Sequence, residues 1–173
     1  MPKTHLDFDL PDSGVTEALG AALARAFTGA SVGARGAVLY LRGELGSGKT
    51  TCARSLLHAL GVLSIVRSPT YTLVDTYSVG ALNCVHVDLY RLRSWPEVEE
   101  LGLRDLTGPY YLMLIEWPEK GGDAVPHADV DLHLRYAGDS RVATLRAVTE
   151  VGDAWLAKLA LDASLVPYVS NLT

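Results

Sequence analysis

Gly43-Glu44-Leu45-Gly46-Ser47-Gly48-Lys49-Thr50 fits the pattern G-x-x-x-x-G-K-[ST] at every fixed position. Glycines at these intervals let the backbone curl so that successive N–H groups converge, which is the geometry that binds the oxygens of a phosphate chain. The lysine after the last glycine can reach the terminal phosphates, and the hydroxyl beside it is a ligand for Mg²⁺. Glu44, Leu45, Gly46, Ser47, Gly48, Lys49, Thr50 and Thr51 are therefore the candidate phosphate-binding residues, and the chemistry they point to is capture of Mg²⁺-ATP or a similar triphosphate.

Such a site needs a carboxylate at the carboxyl end of a neighbouring strand to hold the metal opposite the loop hydroxyl. Tyr111-Leu112-Met113-Leu114-Ile115-Glu116 is an apolar run of strand type ending in an acid, and Glu116 meets this need better than any other acid of the chain. Val85-His86-Val87-Asp88 is a second such run. Residues two apart in a strand share a face, so His86 and Asp88 project together. Asp88 suits three roles: holding Mg²⁺ directly or through water, orienting a nucleophile, or simply terminating a strand. His86 reads as a core histidine. Ser68-Pro69-Thr70 is common turn chemistry, but its hydroxyls also suit a loop that responds to a γ-phosphate, with Thr70 beside the metal or the attacking water. Trp117 either packs a loop or walls the nucleotide site. Arg91 and Arg93 read as salt-bridge or partner-facing residues, and neither is marked as an arginine finger.

The elements that must position these groups are legible around them. Ala37 to Leu41 is a short apolar strand before the loop, and Thr51 to Leu60 follows with helical spacing at Leu56, Leu57 and Leu60, closed by Gly61. Strand, glycine loop, helix is the required order, and the helix N-terminus adds partial positive charge at the phosphates. Upstream, Leu6 to Leu10 alternates like a half-buried strand, and Pro11-Asp12-Ser13 caps a helix carrying Val15, Leu19, Leu23 and Phe27. Thr16 near its start either packs or touches a nucleotide base. Tyr71 to Tyr77 and Leu82 to Asp88 form an expected antiparallel hairpin, as do Ala128 to Tyr136 and Arg141 to Val148. Ser94-Trp95-Pro96-Glu97 reads as a capping box opening a short acidic helix that runs to Leu101-Gly102. Trp155, Leu156, Leu159 and Ala160 suggest a terminal helix; Val166 to Thr173 carries no pattern. The expected fold is α/β: a single phosphate-loop domain over 1–173, its mixed parallel and antiparallel sheet flanked by helices. The motif-bearing core spans about 12–148, and a C-terminal helix and tail span 149–173.

Composition narrows the function classes. The chain has 173 residues, 49% hydrophobic and 20% charged, ordinary for a globular protein and incompatible with a disordered one. A net charge of −5 argues against gripping nucleic acid through its own phosphate-neutralising surface, so any RNA link is expected to run through a partner. No apolar run reaches membrane-span length, and Met1-Pro2-Lys3-Thr4-His5-Leu6-Asp7 lacks a signal-peptide core, so the expected location is the cytoplasm with no membrane contact. Cys52 and Cys84 form no C-x-x-C and read as two buried reduced thiols.

Five stretches coincide in order and spacing: Gly43 to Thr51, Ser68-Pro69-Thr70-Tyr71-Thr72-Leu73-Val74, His86-Val87-Asp88-Leu89-Tyr90-Arg91, Leu101-Gly102-Leu103-Arg104-Asp105, and Ile115-Glu116-Trp117-Pro118-Glu119. Together they resemble the TsaE (YjeE) family of bacterial ATPases, from about Asp12 to Val148. The resemblance implies a role in making threonylcarbamoyladenosine beside the anticodon of tRNA, in company with TsaB and the transferase TsaD. In that family ATP hydrolysis supports multiple turnover, and tRNA is met indirectly through the complex. Carried over motif by motif, Gly46 to Thr51 would hold the phosphates, and Thr50 and Glu116 would ligate Mg²⁺. Asp88 would sit near metal or water, Thr70 in a responsive loop, and Trp117 near the site. Arg141, in a weaker C-terminal match, would contact the nucleotide.

A small-molecule kinase of similar size is the main rival, sharing the loop, the metal and an Asp-Leu-Tyr-Arg acceptor-like motif; it also needs a lid, and none is evident between Leu92 and Tyr111. A GTPase is disfavoured because N-K-x-D is absent. A binding module with a dead site is disfavoured by intact Lys49, Thr50 and Glu116. Without an arginine finger, hydrolysis by the isolated chain is expected to be slow and raised by a partner.

Overall fold

The computed structural model describes residues 4–29 and 31–170. Met1-Pro2-Lys3, part of the stretch read for a signal peptide, and the last three residues of the tail lie outside the described residues. One mixed sheet of seven strands runs through the molecule in the order β1-β7-β6-β2-β5-β4-β3. The strands are β1 (His5–Leu10), β2 (Ala37–Gly43), β3 (Val74–Val79), β4 (Leu82–Asp88), β5 (Tyr111–Glu116), β6 (Val130–Ala137) and β7 (Ser140–Ala147). The helices are α1 (Ser13–Gly29), the single turn α2 (Val32–Arg35), α3 (Lys49–Leu60), α4 (Trp95–Glu99) and α5 (Glu150–Leu159).

The four central strands β6, β2, β5 and β4 run parallel, and β1–β7, β6–β7 and β3–β4 pair antiparallel, so the expected mixed sheet is present. β5 inserts between β2 and β4, with Leu41 opposite Glu116 and Glu116 opposite Asp88. This order brings three strand ends together at one edge, where open α/β sheets bind ligands.

Alternation along the buried strands divides two cores. Leu112 and Leu114 face one apolar cluster with α1, α3 and α5, while Met113 and Ile115 face a second with Val98 and Leu103. Glu116 therefore points to the α3 side, as do His86 and Asp88 two and four residues past Cys84. On that side α3 buries Leu56 and Leu57 completely, each worth about 1.5–3 kcal/mol of transfer free energy. α5 is held to α1 by Trp155, whose Nε1–H donates to the Leu23 carbonyl at 2.9 Å and whose ring lies 5.3 Å from that of Phe27. Both cysteines are free and fully buried, and burial pushes the Cys52 thiol up to about 12 and that of Cys84 to about 11.

α1 approaches α3 closely because residue 20 has no side chain. A Cβ there would stand 2.4 Å from the Cys52 carbonyl oxygen and 2.9 Å from the Ser55 Cβ. An alanine inside a helix ordinarily gains about 1 kcal/mol over glycine. Gly20→Ala is expected to do the reverse and destabilise by about 1–3 kcal/mol, read as a lower urea midpoint at unchanged m-value. A raised midpoint would mean that α1 can step away from α3 freely.

Several boundaries differ from the sequence reading. The strand expected from Tyr71 begins at Val74, because Leu73 adopts φ 67° and its N–H turns back to the Pro69 carbonyl at 2.7 Å. The helix opened by Ser94 stops at Glu99. The capping box does not form: Ser94 Oγ donates to Glu97 Oε1 at 3.0 Å, so the two side chains bond each other instead of the backbone. α5 starts at Glu150, five residues before the Trp155 that announced it, because Thr149 Oγ1 accepts the Gly152 N–H at 3.2 Å. The tail lies along the outer edge of β1, where Phe8 bridges Val169 and the Ser170 N–H donates to the Asp7 carbonyl at 2.9 Å. An edge strand with unpaired backbone groups is thereby covered. No described helix is long and apolar enough to cross a membrane.

Candidate phosphate-binding site

The glycine loop leaves the carboxyl end of β2 and enters α3 at Lys49. Gly46 and Gly48 take φ of 77° and 108°, a region that side chains rarely adopt, and so bend the loop back on itself. Among the described contacts none takes the N–H of Gly46 or Gly48, and the first N–H groups of α3 have no intrahelical acceptor. Donors without acceptors at a helix N-terminus are what an anion site requires.

Lys49 is buried at 5% exposure. Its ammonium donates to the carbonyls of Gly43 at 2.7 Å and Glu44 at 2.9 Å and lies 4.1 Å from the centre of the Trp117 ring. Burial holds its pKa below the ordinary lysine value, against the upward pull of Glu116, Asp88 and Glu119. Trp117 reaches this position through a left-handed backbone, φ 59°, and its ring also meets Tyr90 at 5.0 Å. Its ring therefore lines the cleft beside Lys49.

Thr50 Oγ1 donates to Glu116, 2.8 Å from Oε1 and 3.0 Å from Oε2. His86 Nε2 stands 3.0 Å from the same Oε1, and its Nδ1 is buried without a partner. Glu116 itself is 2% exposed. A hydroxyl and a carboxylate in contact are two hard oxygen donors, the kind of partial set that Mg²⁺ accepts when phosphate and water supply the rest. Among the described residues no group of three or more His, Cys, Asp or Glu converges as an all-protein cage.

Asp88 Oδ1 accepts the Tyr90 N–H at 2.8 Å, and Oδ2 accepts the Ser68 hydroxyl in a short hydrogen bond. The Ser68-Pro69-Thr70 segment is thus tied to the end of β4, and Thr70 joins Lys49, Thr50, Asp88, Glu116 and Trp117 in lining a cleft of about 260 Å³. Leu45, Gly46, Gly48, Thr51, Ser68 and Tyr90 complete its lining.

The remaining sequence candidates stand around this cleft. Glu44 is exposed, Ser47 is buried behind the loop with its hydroxyl unbonded, and Leu45 is 68% exposed. Thr16 is buried at the back of the loop, its Cγ2 3.2 Å from where a Cβ on Gly48 would lie, and its hydroxyl bonds the Asp12 carbonyl at 3.5 Å. Arg141 lies outside, its Nη2 on the Gly46 carbonyl at 3.3 Å. His86 was read as a core residue. It is buried, but its bond to Glu116 makes it part of the site; the signal available was its place two residues before Asp88 on the same face. Tyr136 was read only as strand, and its hydroxyl bonds the Leu45 carbonyl at 2.9 Å.

A wider depression of about 810 Å³ lies on the opposite face of the sheet. Its polar groups are largely spent on each other: Arg42 pairs Asp131 at 2.9 Å, Thr144 donates to Asp7 at 2.6 Å, and Ser170 donates to Asp9 at 2.9 Å.

Central parallel strands with a glycine loop at their carboxyl ends, and a hydroxyl–carboxylate pair beside its lysine, are the marks of the phosphate-loop class of α/β proteins. Comparison with known proteins narrows the class. The model of the family described as threonylcarbamoyl adenosine biosynthesis protein TsaE matches residues 10–144, and the chain belongs to that family. It is 43% identical over 115 residues to the tRNA threonylcarbamoyladenosine biosynthesis protein TsaE of Haemophilus influenzae, covering 66% of this chain and 73% of that one. The Bacillus subtilis protein of the same name is 37% identical over 114 residues, covering 65% and 71%. The crystal structure of Bacillus subtilis YdiB superposes with a TM-score of 0.71 at 26% identity, over 92% of this chain and 97% of that one.

Proposed function

We propose that this chain is a Mg²⁺-dependent ATPase that serves tRNA threonylcarbamoyladenosine formation by acting with TsaB and TsaD, its hydrolysis supporting repeated turnover of the transferase. Family membership supports the pathway. The observation that carries the chemistry is the contact of Thr50 Oγ1 with the Glu116 carboxylate beside the buried Lys49.

The residues divide the work. Unclaimed N–H groups of the loop and of the α3 N-terminus bind phosphate oxygens, and Lys49 exchanges its carbonyl partners for phosphate, opposing the charge that develops in the transition state. Thr50 and Glu116 would hold Mg²⁺, which when bound neutralises charge on the bridging and terminal phosphates. Asp88, fixed by Ser68 and the Tyr90 N–H, sits where it can orient water, and Trp117 and Tyr90 restrict solvent on that side. Among the described residues no arginine lines the cleft. Such a group is worth ~10³–10⁵ in rate, so hydrolysis by the chain alone is slow and a partner raises it. The kinase reading has less support, because Leu92, Val98 and Leu103 are buried in the second core and tie the segment after β4 to the sheet, where it cannot serve as a lid.

The test follows phosphate release from Mg²⁺-ATP by this chain alone and after adding the TsaB and TsaD of its organism, with modified tRNA measured in the same tubes. Stimulated release with more than one modification per transferase is the expected result. Flat release with a tRNA yield indifferent to this chain would replace the proposal with a search for a phosphorylated small-molecule acceptor.

A further inference from the structure

Glu44, Leu45 and Gly46 are exposed, so burial does not hold this side of the phosphate loop in shape. Hydrogen bonds do, and they come from two sides. Lys49 Nζ takes the carbonyls of Gly43 and Glu44, while the tip of the β6–β7 hairpin takes the next two: Tyr136 Oη donates to Leu45 at 2.9 Å and Arg141 Nη2 to Gly46 at 3.3 Å. Four successive carbonyls are thus each bound by a side chain. The hairpin tip is itself braced, because the Arg141 guanidinium lies 4.6 Å over the Tyr136 ring and its Nη1 bonds the Asp139 carbonyl at 3.3 Å.

The Leu45 carbonyl and the Gly46 N–H belong to one peptide group, which is planar and trans, so the two point in opposite directions. Fixing the carbonyl outward aims the N–H inward. Gly46 N–H has no acceptor among the described contacts, whereas the next N–H, of Ser47, is already used by the Glu44 carbonyl at 3.1 Å. Gly46 at φ 77° can rotate its peptide groups more freely than any other residue type, which is why an outside restraint matters here. The approach is also close, since a Cβ on Gly46 would lie 2.9 Å from Tyr136 Oη.

We propose that Tyr136 is a positioning residue of the nucleotide site: its hydroxyl pins the Leu45 carbonyl outward and so presents the Gly46 N–H to a phosphate oxygen. The Lys49 bonds cannot serve this purpose through binding, because Lys49 must leave the Gly43 and Glu44 carbonyls to meet phosphate. The hairpin bonds persist, and the loop keeps its shape when the lysine turns away. This inference rests on the phosphate-binding reading of the loop.

The test is Tyr136→Phe in the full chain, which keeps the ring under Arg141 and removes one hydroxyl. Equilibrium binding of Mg²⁺-ADP and Mg²⁺-ATP is measured by calorimetry, and the Gly46 amide is followed by ¹⁵N–¹H NMR during the ADP titration. The expected result is a dissociation constant raised about three- to tenfold for both nucleotides, the effect of one lost hydrogen bond. The Gly46 amide shift on saturation is smaller than in the parent, and the melting temperature is unchanged. A merely structural role would lower the melting temperature and leave the saturated Gly46 shift at its parental value, and that result overturns the proposal. So does a parental dissociation constant with a parental shift. Should Tyr136→Phe fold poorly, Tyr136→Leu is the second variant, since it also removes the hydroxyl that holds the Leu45 carbonyl; a parental dissociation constant with a parental Gly46 shift in that variant would equally overturn the proposal. If the parent itself binds neither nucleotide, the phosphate-loop reading falls and this inference falls with it, an outcome distinct from parental binding that Tyr136→Phe leaves intact.

Discussion

Lys49→Ala leaves the chain folded and lowers the turnover of Mg²⁺-ATP by at least ~10²–10³, the loss found when a group that stabilises developing transition-state charge is removed. The argument for lost turnover is positional. Among the described residues Lys49 is the one cation in the cleft lining, and its ammonium sits on the Gly43 and Glu44 carbonyls of the loop. The argument for a retained fold starts from the local character of its bonds, and its titration points the same way. Burial lowers the Lys49 pKa from 10.5, so the charged side chain is less favourable in the folded chain than in the unfolded one. Between the lowered value and 10.5 the unfolded state binds more protons, and this group's contribution to stability therefore rises with pH. The bonds lost with Lys49 are confined to the loop and the Trp117 ring, and the Ser47 N–H still occupies the Glu44 carbonyl, so the packed strands and helices keep their contacts. The checks are phosphate release, the far-ultraviolet dichroism spectrum and the melting temperature. Parental release from a correctly folded Lys49→Ala chain would remove the phosphate-loop mechanism altogether.

Glu116→Gln raises the Mg²⁺ concentration needed for half-maximal nucleotide binding by on the order of ten- to hundredfold, in the range seen when metal-site partners are lost. Glutamine is the informative replacement because it keeps the shape of a side chain that is 2% exposed and touched by both Thr50 and His86. Alanine would also strip His86 of its bonded partner when its Nδ1 already has none, adding a stability loss of about 1–3 kcal/mol that confuses the reading. The measurement is ATP affinity as a function of Mg²⁺, with the metal-free affinity as reference. An unchanged Mg²⁺ titration would transfer the metal role to Asp88, whose carboxylate lies one strand away at the same register.

Much of this site could be read before any coordinates. Residues 43–50 are contiguous, and their roles follow from local rules: glycines permit the bend, and a helix that starts at Lys49 leaves its first N–H groups free. Asp88 and Glu116 were found because an acid ending an apolar run is a local signal too. Thr16 and Arg141 were harder, since nothing near them in sequence indicates that one stands behind Gly48 and the other outside Gly46. His86 is buried as read, and its bond to Glu116 went unseen for a related reason: a lone histidine in an apolar strand resembles any core residue until the neighbouring strand is known.

The bend of the loop, the strand and helix around it, and the two hairpins that make the sheet mixed were all written in the sequence alone. Each of these depends on residues within one turn, one strand or one short spacing, where backbone sterics and apolar periodicity act directly. That β5 lies between β2 and β4, which sets Glu116 against Thr50 and Asp88 beside it, follows from packing across the whole chain. The same packing decides that the β6–β7 hairpin reaches back more than ninety positions to hold the phosphate loop. Buried parallel strands read as interchangeable apolar runs, so their order is written in how they pack across the whole chain and not in any one segment.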